Sequence, residues 1–297
     1  MTPREFASKY WELDLYTVAK ESPLDAVPAA GAENLPPPGQ WQKMRVASYR
    51  LGEASGGYRS AFWSEIKTFV DKKGKEAITV VVKTIWGKQE TKTFLTPNEL
   101  AYTAVAPFYG KGSPEEVQIM LQLRNRFQKV KLSLADFTKA AFIGLDCNGF
   151  VGNYIQRAVK GSHWHRRSAT DPGPSTYIAS LMKLGTRIKS MDQLNSTTDI
   201  FLLAMTDGAG NIIDQIKSTT AEGGVSVEHG HIMITEPATI QKVGEEIHVK
   251  VLESAGGVGL VESIYRIQSV TPKGVFRVFR GSKSSHMNVA ITKLQTS

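Results

Sequence analysis

The sequence predicts an α+β protein, in which helices come first and an antiparallel sheet follows. Two patterns point to this class. Helix signals cluster between residues 114 and 160, where apolar residues recur at helical spacing. Short β-branched runs separated by turns fill the chain from about residue 200 onward, which is typical of antiparallel strands. A chain of 297 residues is long enough for one large domain or two ordinary ones.

The first predicted domain, residues 1–105, combines a helix, a linker and a β-rich module. An amphipathic pattern predicts a helix within residues 1–22. Five prolines then fall within residues 23–40 and indicate a linker, because proline lacks the N–H that a helix needs. The β-branched run at 78–86 predicts a strand that could pair with 92–96 across a short turn.

The second predicted domain, residues 106–297, carries the helices and the main sheet. Ser113, Pro114 and two glutamates predict the start of a helix over 114–130, since serine caps and proline suits the first helical position. Further helices are predicted over 133–144 and 147–160, followed by a polar loop. The predicted strands of the sheet lie at residues 200–204, 231–234, 247–252, 264–267 and 275–278.

The positive charge of the chain is concentrated in one segment. The net charge is +8, and residues 124–183 hold ten basic and three acidic residues, which gives +7 for that segment. A basic surface attracts anionic partners, although a solvated face without a ligand has the same composition. Within it, His163 and His165 stand beside Arg166 and Arg167 and are interpreted as a basic loop at the rim of a cleft rather than as metal ligands.

The single cysteine, Cys147, is the first candidate for chemistry. One cysteine excludes an internal disulfide and a CxxC metal site, and no metal or cofactor is expected. Asp146 is a good helix cap, so Cys147 is predicted to stand in the first turn of the helix that follows. There the helix dipole lowers the pKa of a thiol and favours the nucleophilic thiolate. The alternative is a buried structural cysteine.

A thiol nucleophile needs a base, and six histidines are available. The run Val227–Thr235 is the most suggestive, because on a strand His229 and His231 share one face. An imidazole on a strand that packs against the start of a helix is held rigidly. Either of these two histidines could therefore serve as the base.

These residues carry a family resemblance. Asp146–Val151 resembles the Asp-Cys-Ser-Gly-Phe-Val signature of the NlpC-type cell-wall cysteine peptidases, with Asn148 in place of serine. Gly230–Ile234 is similar to the family's histidine strand, Gly-His-Val-x-Ile. Thr198–Leu202 resembles the strand that precedes it, with threonine in place of glycine. The three motifs keep the family's order, and the resemblance covers roughly residues 110–270.

The resemblance implies a papain-like catalytic domain, with helices packed on a small antiparallel sheet. In that reading Cys147 is the nucleophile and His231 is the base. The family's third residue is a polar group on the strand after the histidine, and Glu253 and His248 compete for this role. They are five residues apart, so on a regular strand only one can face the site. We favour Glu253, because Val251–Ser254 resembles a strand end of related amidases that use glutamate.

By resemblance, the substrate is an amide bond in peptidoglycan stem peptides or in a related bacterial peptide. The alternatives are an acyltransferase and a non-catalytic module that grips nucleic acid or an anionic glycan through residues 124–183. Nucleic acid is the less expected partner, because no nucleic-acid motif is present. No membrane-spanning run and no signal peptide are recognised. We therefore expect synthesis in the cytoplasm. A phage lysin, a secreted effector toxin or a virion component could reach the cell wall without a signal peptide, and a cytosolic amidase acting on recycled wall fragments is the other alternative.

Overall fold

The fold is described here from a computed structural model. It describes residues 1–18, 39–49, 64, 78–94, 103–104, 106–127, 133–134, 138, 143–159, 174–195, 198–219, 225–283 and 285–295, with backbone only at 215–219 and 225–229. The chain divides into two compact units. Residues 1–7 and 147–297 form the barrel unit, and residues 8–146 form the N-terminal unit. The predicted boundary at residue 105 stays a prediction about independent folding, which a division by contacts does not test.

Helices and strands alternate with short turns in both units. The helices in the described ranges are α1 (Pro3–Trp11), α2 (Pro114–Phe127), α3 (Cys147–Tyr154) and α4 (Ile178–Leu181); a π-helical turn covers Ile155–Val159, and 3-10 turns cover Ala106–Tyr109, Met182–Leu184 and Met191–Leu194. The strands are β1 (Leu13–Val18), β2 (Gly39–Met44), β3 (Ile78–Lys83), β4 (Gln89–Phe94), β5 (Gly185–Arg187), β6 (Phe201–Met205), β7 (Gln215–Thr219), β8 (Val225–His229), β9 (Ile232–Thr235), β10 (Gln241–Val243), β11 (Glu246–Ala255), β12 (Gly259–Val270), β13 (Phe276–Arg280) and β14 (His286–Leu294).

Helix α2 begins where its sequence predicts. The Ser113 hydroxyl accepts a hydrogen bond from the Glu116 N–H at 3.2 Å, and the Glu116 carboxylate accepts one from the Ser113 N–H at 2.7 Å. This reciprocal pair satisfies two N–H groups that a helix start otherwise leaves without partners. The helix predicted over 114–130 is therefore confirmed, with its observed end at Phe127.

Strand β3 lies between a β-strand and a helix. Its backbone pairs with β4 along one edge, which confirms the predicted pairing of these two runs. Side chains of α2 bond the backbone on its other edge: Gln122 donates to the Val81 carbonyl at 2.6 Å and accepts from the Val81 N–H at 3.2 Å. Gln118 makes the same two bonds with Lys83, each at 2.8 Å. A helix side chain thus takes the place of a neighbouring strand, which removes the exposed edge.

Six antiparallel strands of the barrel unit close on themselves. The order β11-β12-β13-β14-β6-β9 returns to β11, because β9 pairs with both β6 and β11. Strand β10 pairs with β11, and β5 pairs with the end of β14. Closure leaves no free edge in this ring of strands.

The barrel interior is apolar and follows the two-residue period of its strands. Every second residue faces inward, and the buried cluster includes Phe201, Leu203, Met233, Val249, Val251, Tyr265, Phe276, Val278, Val289 and Ile291. Burying such side chains contributes roughly 1.5–3 kcal/mol each. The same inward-facing positions continue toward one end of the barrel, and their residues there are polar.

The predicted papain-like α+β arrangement is wrong. The chain is mostly β, with 40% strand and 28% helix, and a closed six-strand barrel replaces helices packed on a small sheet. The sequence-based prediction did not include strand β14, which pairs with both β13 and β6. Its residues Met287, Val289 and Ile291 alternate with Asn288, Ala290 and Thr292, which is a strand pattern that the sequence analysis did not use.

The remaining element predictions had mixed outcomes. The five predicted strands of the main sheet correspond to β6, β9, β11, β12 and β13 and are confirmed. Helical structure at 147–160 is also confirmed, as α3 and the π-helical turn. The helix predicted within residues 1–22 ends at Trp11, and β1 follows it. The linker and the helix at 133–144 fall almost entirely outside the described residues. No helix in the described part of the chain is both long and apolar enough to cross a membrane.

Candidate active site

The cysteine lies at the first residue of α3, and its side chain is 5% exposed. Helix α3 packs against β9 and β11, the two strands that complete the barrel closure. Its other contacts include Phe6, whose ring centroid lies 5.9 Å from that of Phe150 and 5.7 Å from that of Tyr154. The Tyr154 hydroxyl donates to the Met1 carbonyl at 3.0 Å. The helix that carries the thiol is therefore held between the barrel and residues 1–7.

The histidine predicted as the base meets this thiol. His231 directly precedes β9, and its interaction with the Cys147 side chain raises the pKa of its ring. The Cys147 Sγ also lies 3.8 Å from the Gly230 carbonyl oxygen. Gly230 is required sterically, since a Cβ there would stand 1.7 Å from the Ile213 carbonyl oxygen. The backbone just before His231 therefore approaches both the thiol and a neighbouring loop.

Glu253 completes a line of three side chains. The His231 Nε2 and Glu253 Oε2 atoms are 2.9 Å apart, and Glu253 is fully buried. The register Val251↔Thr235 between β11 and β9 makes these residues diagonal neighbours on one face, within reach of long side chains. Because Nε2 is engaged by Glu253, Nδ1 is the ring nitrogen that remains for the thiol. The geometry is that of a nucleophile, a base and a residue that orients the base.

Two further side chains bind the same carboxylate, and the sequence analysis missed both. The Tyr265 hydroxyl donates to Glu253 Oε2 at 2.9 Å. The Arg280 Nε lies 2.8 Å from Glu253 Oε1, and these two residues form an ion pair. Tyr265 and Arg280 are direct cross-strand partners on β12 and β13. We name this group, Cys147, His231, Glu253, Tyr265 and Arg280, the mouth network.

A period-two pattern places the mouth network at one end of the barrel. His231 stands two residues before the inward Met233, Glu253 two residues after Val251, and Arg280 two residues after Val278. Strands β11 and β13 run in the same direction and β9 runs opposite, so these three positions meet at the same end. A charged residue that continues an inward apolar series is a sequence signal, and it could have identified Arg280.

The network shifts the pKa values of its members. Burial lowers the pKa of His231, but hydrogen bonds to Cys147 and Glu253, and the charges of both residues, outweigh it and raise the pKa to about 9. Burial raises the pKa of Glu253, but hydrogen bonds from His231 and Ser263 and the charges of His231 and Arg280 bring it below the ordinary value. Burial and the Glu253 charge raise the pKa of Tyr265. At neutral pH the network therefore favours a charged imidazolium and a charged carboxylate.

A second segment borders the nucleophile. Asn148, the residue after the cysteine, donates from Nδ2 to the Thr176 carbonyl at 3.2 Å. Two residues on, the Ile178 N–H donates to Asp214 Oδ1 at 2.7 Å, and the Asp214 carbonyl accepts from the Gly230 N–H at 3.0 Å. The segment around Thr176 is thus tied to residues adjacent to both Cys147 and His231.

The other predicted site residues lie elsewhere. His248 faces Glu246, with Nε2 and Oε2 3.4 Å apart, on the opposite face of β11 from Glu253. His229 ends β8, and its side chain lies outside what the structure describes; the same holds for His163 and His165 with their neighbouring arginines. Asp146 directly precedes α3 and pairs with Lys111, so its capping role stays a prediction.

The described part of the basic segment gives little free positive surface. Arg124 is 4% exposed and Arg157 is 6% exposed. Arg126 donates to the Thr79 carbonyl at 2.7 Å. Of the four basic residues of the 124–183 segment that the structure describes, Lys183 alone is fully at the surface. Charge counted along the sequence therefore overestimates the basic face in these ranges.

Comparisons with known proteins give no relative to reason from. No protein-family model, curated protein or solved structure matches the chain. Within the residues that the structure describes, no group of three or more His, Cys, Asp or Glu side chains is arranged to hold a metal ion. The functional argument depends on the mouth network itself.

Proposed function

We propose that this chain is a cysteine-dependent amide hydrolase, with Cys147 as nucleophile, His231 as general base and acid, and Glu253 as the residue that orients His231. The observation that carries the proposal is the buried His231–Glu253 pair, with Nε2 and Oε2 2.9 Å apart, whose histidine directly follows Gly230, the residue that Cys147 Sγ contacts at 3.8 Å. A structural cysteine needs no such partners, whereas a thiol nucleophile needs both.

The acylation step uses the two ring nitrogens differently. His231 Nδ1 takes the thiol proton, and Nε2–H donates to Glu253. The Cys147 thiolate attacks the carbonyl carbon of the amide, forming a C–S bond and a tetrahedral oxyanion. The positive end of the α3 helix dipole, at Cys147, stabilises that oxyanion. The C–N bond breaks as Nδ1–H protonates the leaving amine.

Deacylation reverses the proton flow. Water enters, His231 takes its proton, and the resulting hydroxide attacks the thioester carbonyl carbon. The C–S bond breaks, the acid product leaves, and the thiolate and imidazolium are restored. If an amine replaces water at this step, the same residues perform acyl transfer, which is the second catalytic alternative predicted from the sequence.

The proposed substrate is an amide bond of a peptidoglycan stem peptide or of a related bacterial peptide. This part of the proposal comes from the similarity of the cysteine and histidine motifs to the NlpC-type peptidases. The alternative of a non-catalytic basic binding module has less support, because Arg124 and Arg157 are buried and the mouth network would then have no role.

The test is digestion of purified peptidoglycan, with mass analysis of the released fragments. Wild type should release peptide fragments with a new free amine and carboxylate, and Cys147→Ala should release none. Cys147→Ser is the matched variant, because it keeps the shape of the side chain but forms a much weaker nucleophile. Identical fragments from wild type and Cys147→Ala would refute the hydrolase.

A further inference from the structure

Arg280 has a place in the mouth network that a three-residue catalytic unit does not account for. Its Nε lies 2.8 Å from Glu253 Oε1, while the other carboxylate oxygen accepts bonds from Tyr265 and His231, each at 2.9 Å. The Arg280 side chain is 24% exposed, and Glu253 is fully buried. The carboxylate therefore lies between two cationic groups, one on each oxygen.

The charges along this line alternate in sign. Thiolate, imidazolium, carboxylate and guanidinium follow one another from Cys147 to Arg280. Without Arg280, the imidazolium and the carboxylate sum to zero, and no net positive charge faces the thiol. With Arg280 the three groups sum to +1, which stabilises a thiolate at Cys147. The carboxylate can then hold the His231 ring in place without cancelling its charge at the sulfur.

We propose that Arg280 is a positioning residue that acts through Glu253: its charge lets the carboxylate hold His231 without cancelling the positive charge of the imidazolium beside Cys147. This inference builds on the proposed function and adds a residue that the sequence analysis did not contain. The groups that face Glu253 from the packed elements are His231, Ser263, Tyr265 and Arg280, so Arg280 brings the sole permanent charge among them in the described ranges.

The two arginines of β13, Arg277 and Arg280, lie on opposite faces of the strand. Arg280 continues the inward series of Phe276 and Val278, whereas Arg277 is exposed on the outer face and lies 5.5 Å from the Phe279 ring. Removing either arginine changes the net charge of the protein by the same amount. The pair Arg280→Gln and Arg277→Gln thus distinguishes a charge inside the network from one on the surface.

The experiment is the rate of Cys147 alkylation by iodoacetamide as a function of pH, measured on the full chain. Cys147 is the sole cysteine, so every alkylated molecule reports this thiol. We expect Arg280→Gln to move the midpoint upward by about one pH unit, since a nearby charge shifts a pKa by that order. Arg277→Gln should leave the midpoint unchanged. Arg280→Lys keeps the charge and should stay close to wild type.

Two results would overturn the proposal. One is an unchanged midpoint in Arg280→Gln; the other is an equal upward shift in Arg280→Lys, which would mean that shape and not charge matters. Should Arg280→Gln fail to fold, Arg280→Met makes the same comparison, because its side chain is unbranched and carries no charge. The measurement needs no substrate, so absence of peptidoglycan hydrolysis would refute the proposed function and leave this result standing.

Discussion

Each unit of this protein holds a cluster of polar side chains, and the two clusters have different partners. In the N-terminal unit the side chains bond the backbone of β3 and of Ile85 just after it, and those that do so are Glu115, Gln118, Gln122 and Arg126. In the barrel unit the side chains of the mouth network contact one another, at an end of a barrel whose interior is otherwise apolar. The first arrangement completes a sheet edge. The second completes no backbone bond, so we look for its role in chemistry.

The contributions of the two clusters to stability also differ. Gln122 satisfies a buried N–H and a buried carbonyl that would otherwise be without partners, which cost about 1–3 kcal/mol each. A buried ion pair such as Glu253 with Arg280 is different, because apolar residues of similar volume often stabilise a protein equally well or better. The barrel thus keeps a set of polar groups that its stability does not require.

The largest expected difference between the units is in activity. His231→Ala should lower peptidoglycan hydrolysis by at least about 1000-fold, because it removes the base of a catalytic unit. It should also lower the stability at neutral pH, since the fold holds the His231 proton more tightly than the unfolded chain does, so activity is compared at a temperature where the variant is folded. Gln122→Leu should lose stability but keep wild-type activity in the folded protein. If both variants lose activity equally at a temperature where both are folded, the contrast between the units fails.

The next largest effect is expected for a substitution at Gly230, where the backbone lies close to a neighbouring loop. Gly230→Ala places a Cβ 1.7 Å from the Ile213 carbonyl oxygen, so the strand that leads to His231 must move. We expect a loss of roughly 3–4 kcal/mol in unfolding free energy and a loss of activity together. Gly208→Ala is the matched control, because a Cβ there meets nothing within 4 Å. Urea titration of the two variants checks this, and equal stabilities would contradict the crowding.

The elements of the fold that could be predicted from sequence are those whose signals lie in consecutive residues. The residues Ser113 to Glu116 indicate the start of helix α2, and the apolar run after His231 indicates strand β9. Closure of the barrel depends instead on β9 pairing with both β6 and β11, which no local pattern encodes. A prediction that stops at local patterns therefore finds the strands and misses the architecture.

The site shows the same limit. Cys147 and His231 stand in short motifs, and Glu253 stands at the end of an apolar strand, so each could be proposed from its neighbours. The sequence also indicates that Arg280 faces inward, because it continues the series of Phe276 and Val278. Its partner Glu253, however, lies 27 positions earlier in the chain. Sequence patterns indicate which way a side chain points, and the register between distant strands decides what it meets.

The polar edge of the N-terminal unit gives the next prediction. Gln122→Leu keeps the size of the side chain but leaves the Val81 N–H and carbonyl buried without partners. We expect the unfolding free energy to fall by about 2–3 kcal/mol. The rate of Cys147 alkylation at neutral pH should be unchanged in the folded protein. Gln118→Leu is the matched variant, because Gln118 makes the same two bonds with the backbone of Lys83. A stabilising effect of Gln122→Leu would contradict a structural role for this edge.

The final prediction concerns the dependence of stability on pH, which should be confined to the barrel unit. The pKa of His231 is raised from 6.5 to about 9 in the folded protein, so the fold holds this proton more tightly than the unfolded chain does. That contribution is complete below pH 6.5 and is lost as the pH rises through about 9. Between pH 6.5 and 9.5 wild type should lose about 3 kcal/mol more stability than His231→Ala. Urea titration of wild type and His231→Ala at each pH measures this loss. Gln122→Leu should show the same pH dependence as wild type, displaced to lower stability; a flattened curve in that variant would show that the two kinds of polar group are not independent.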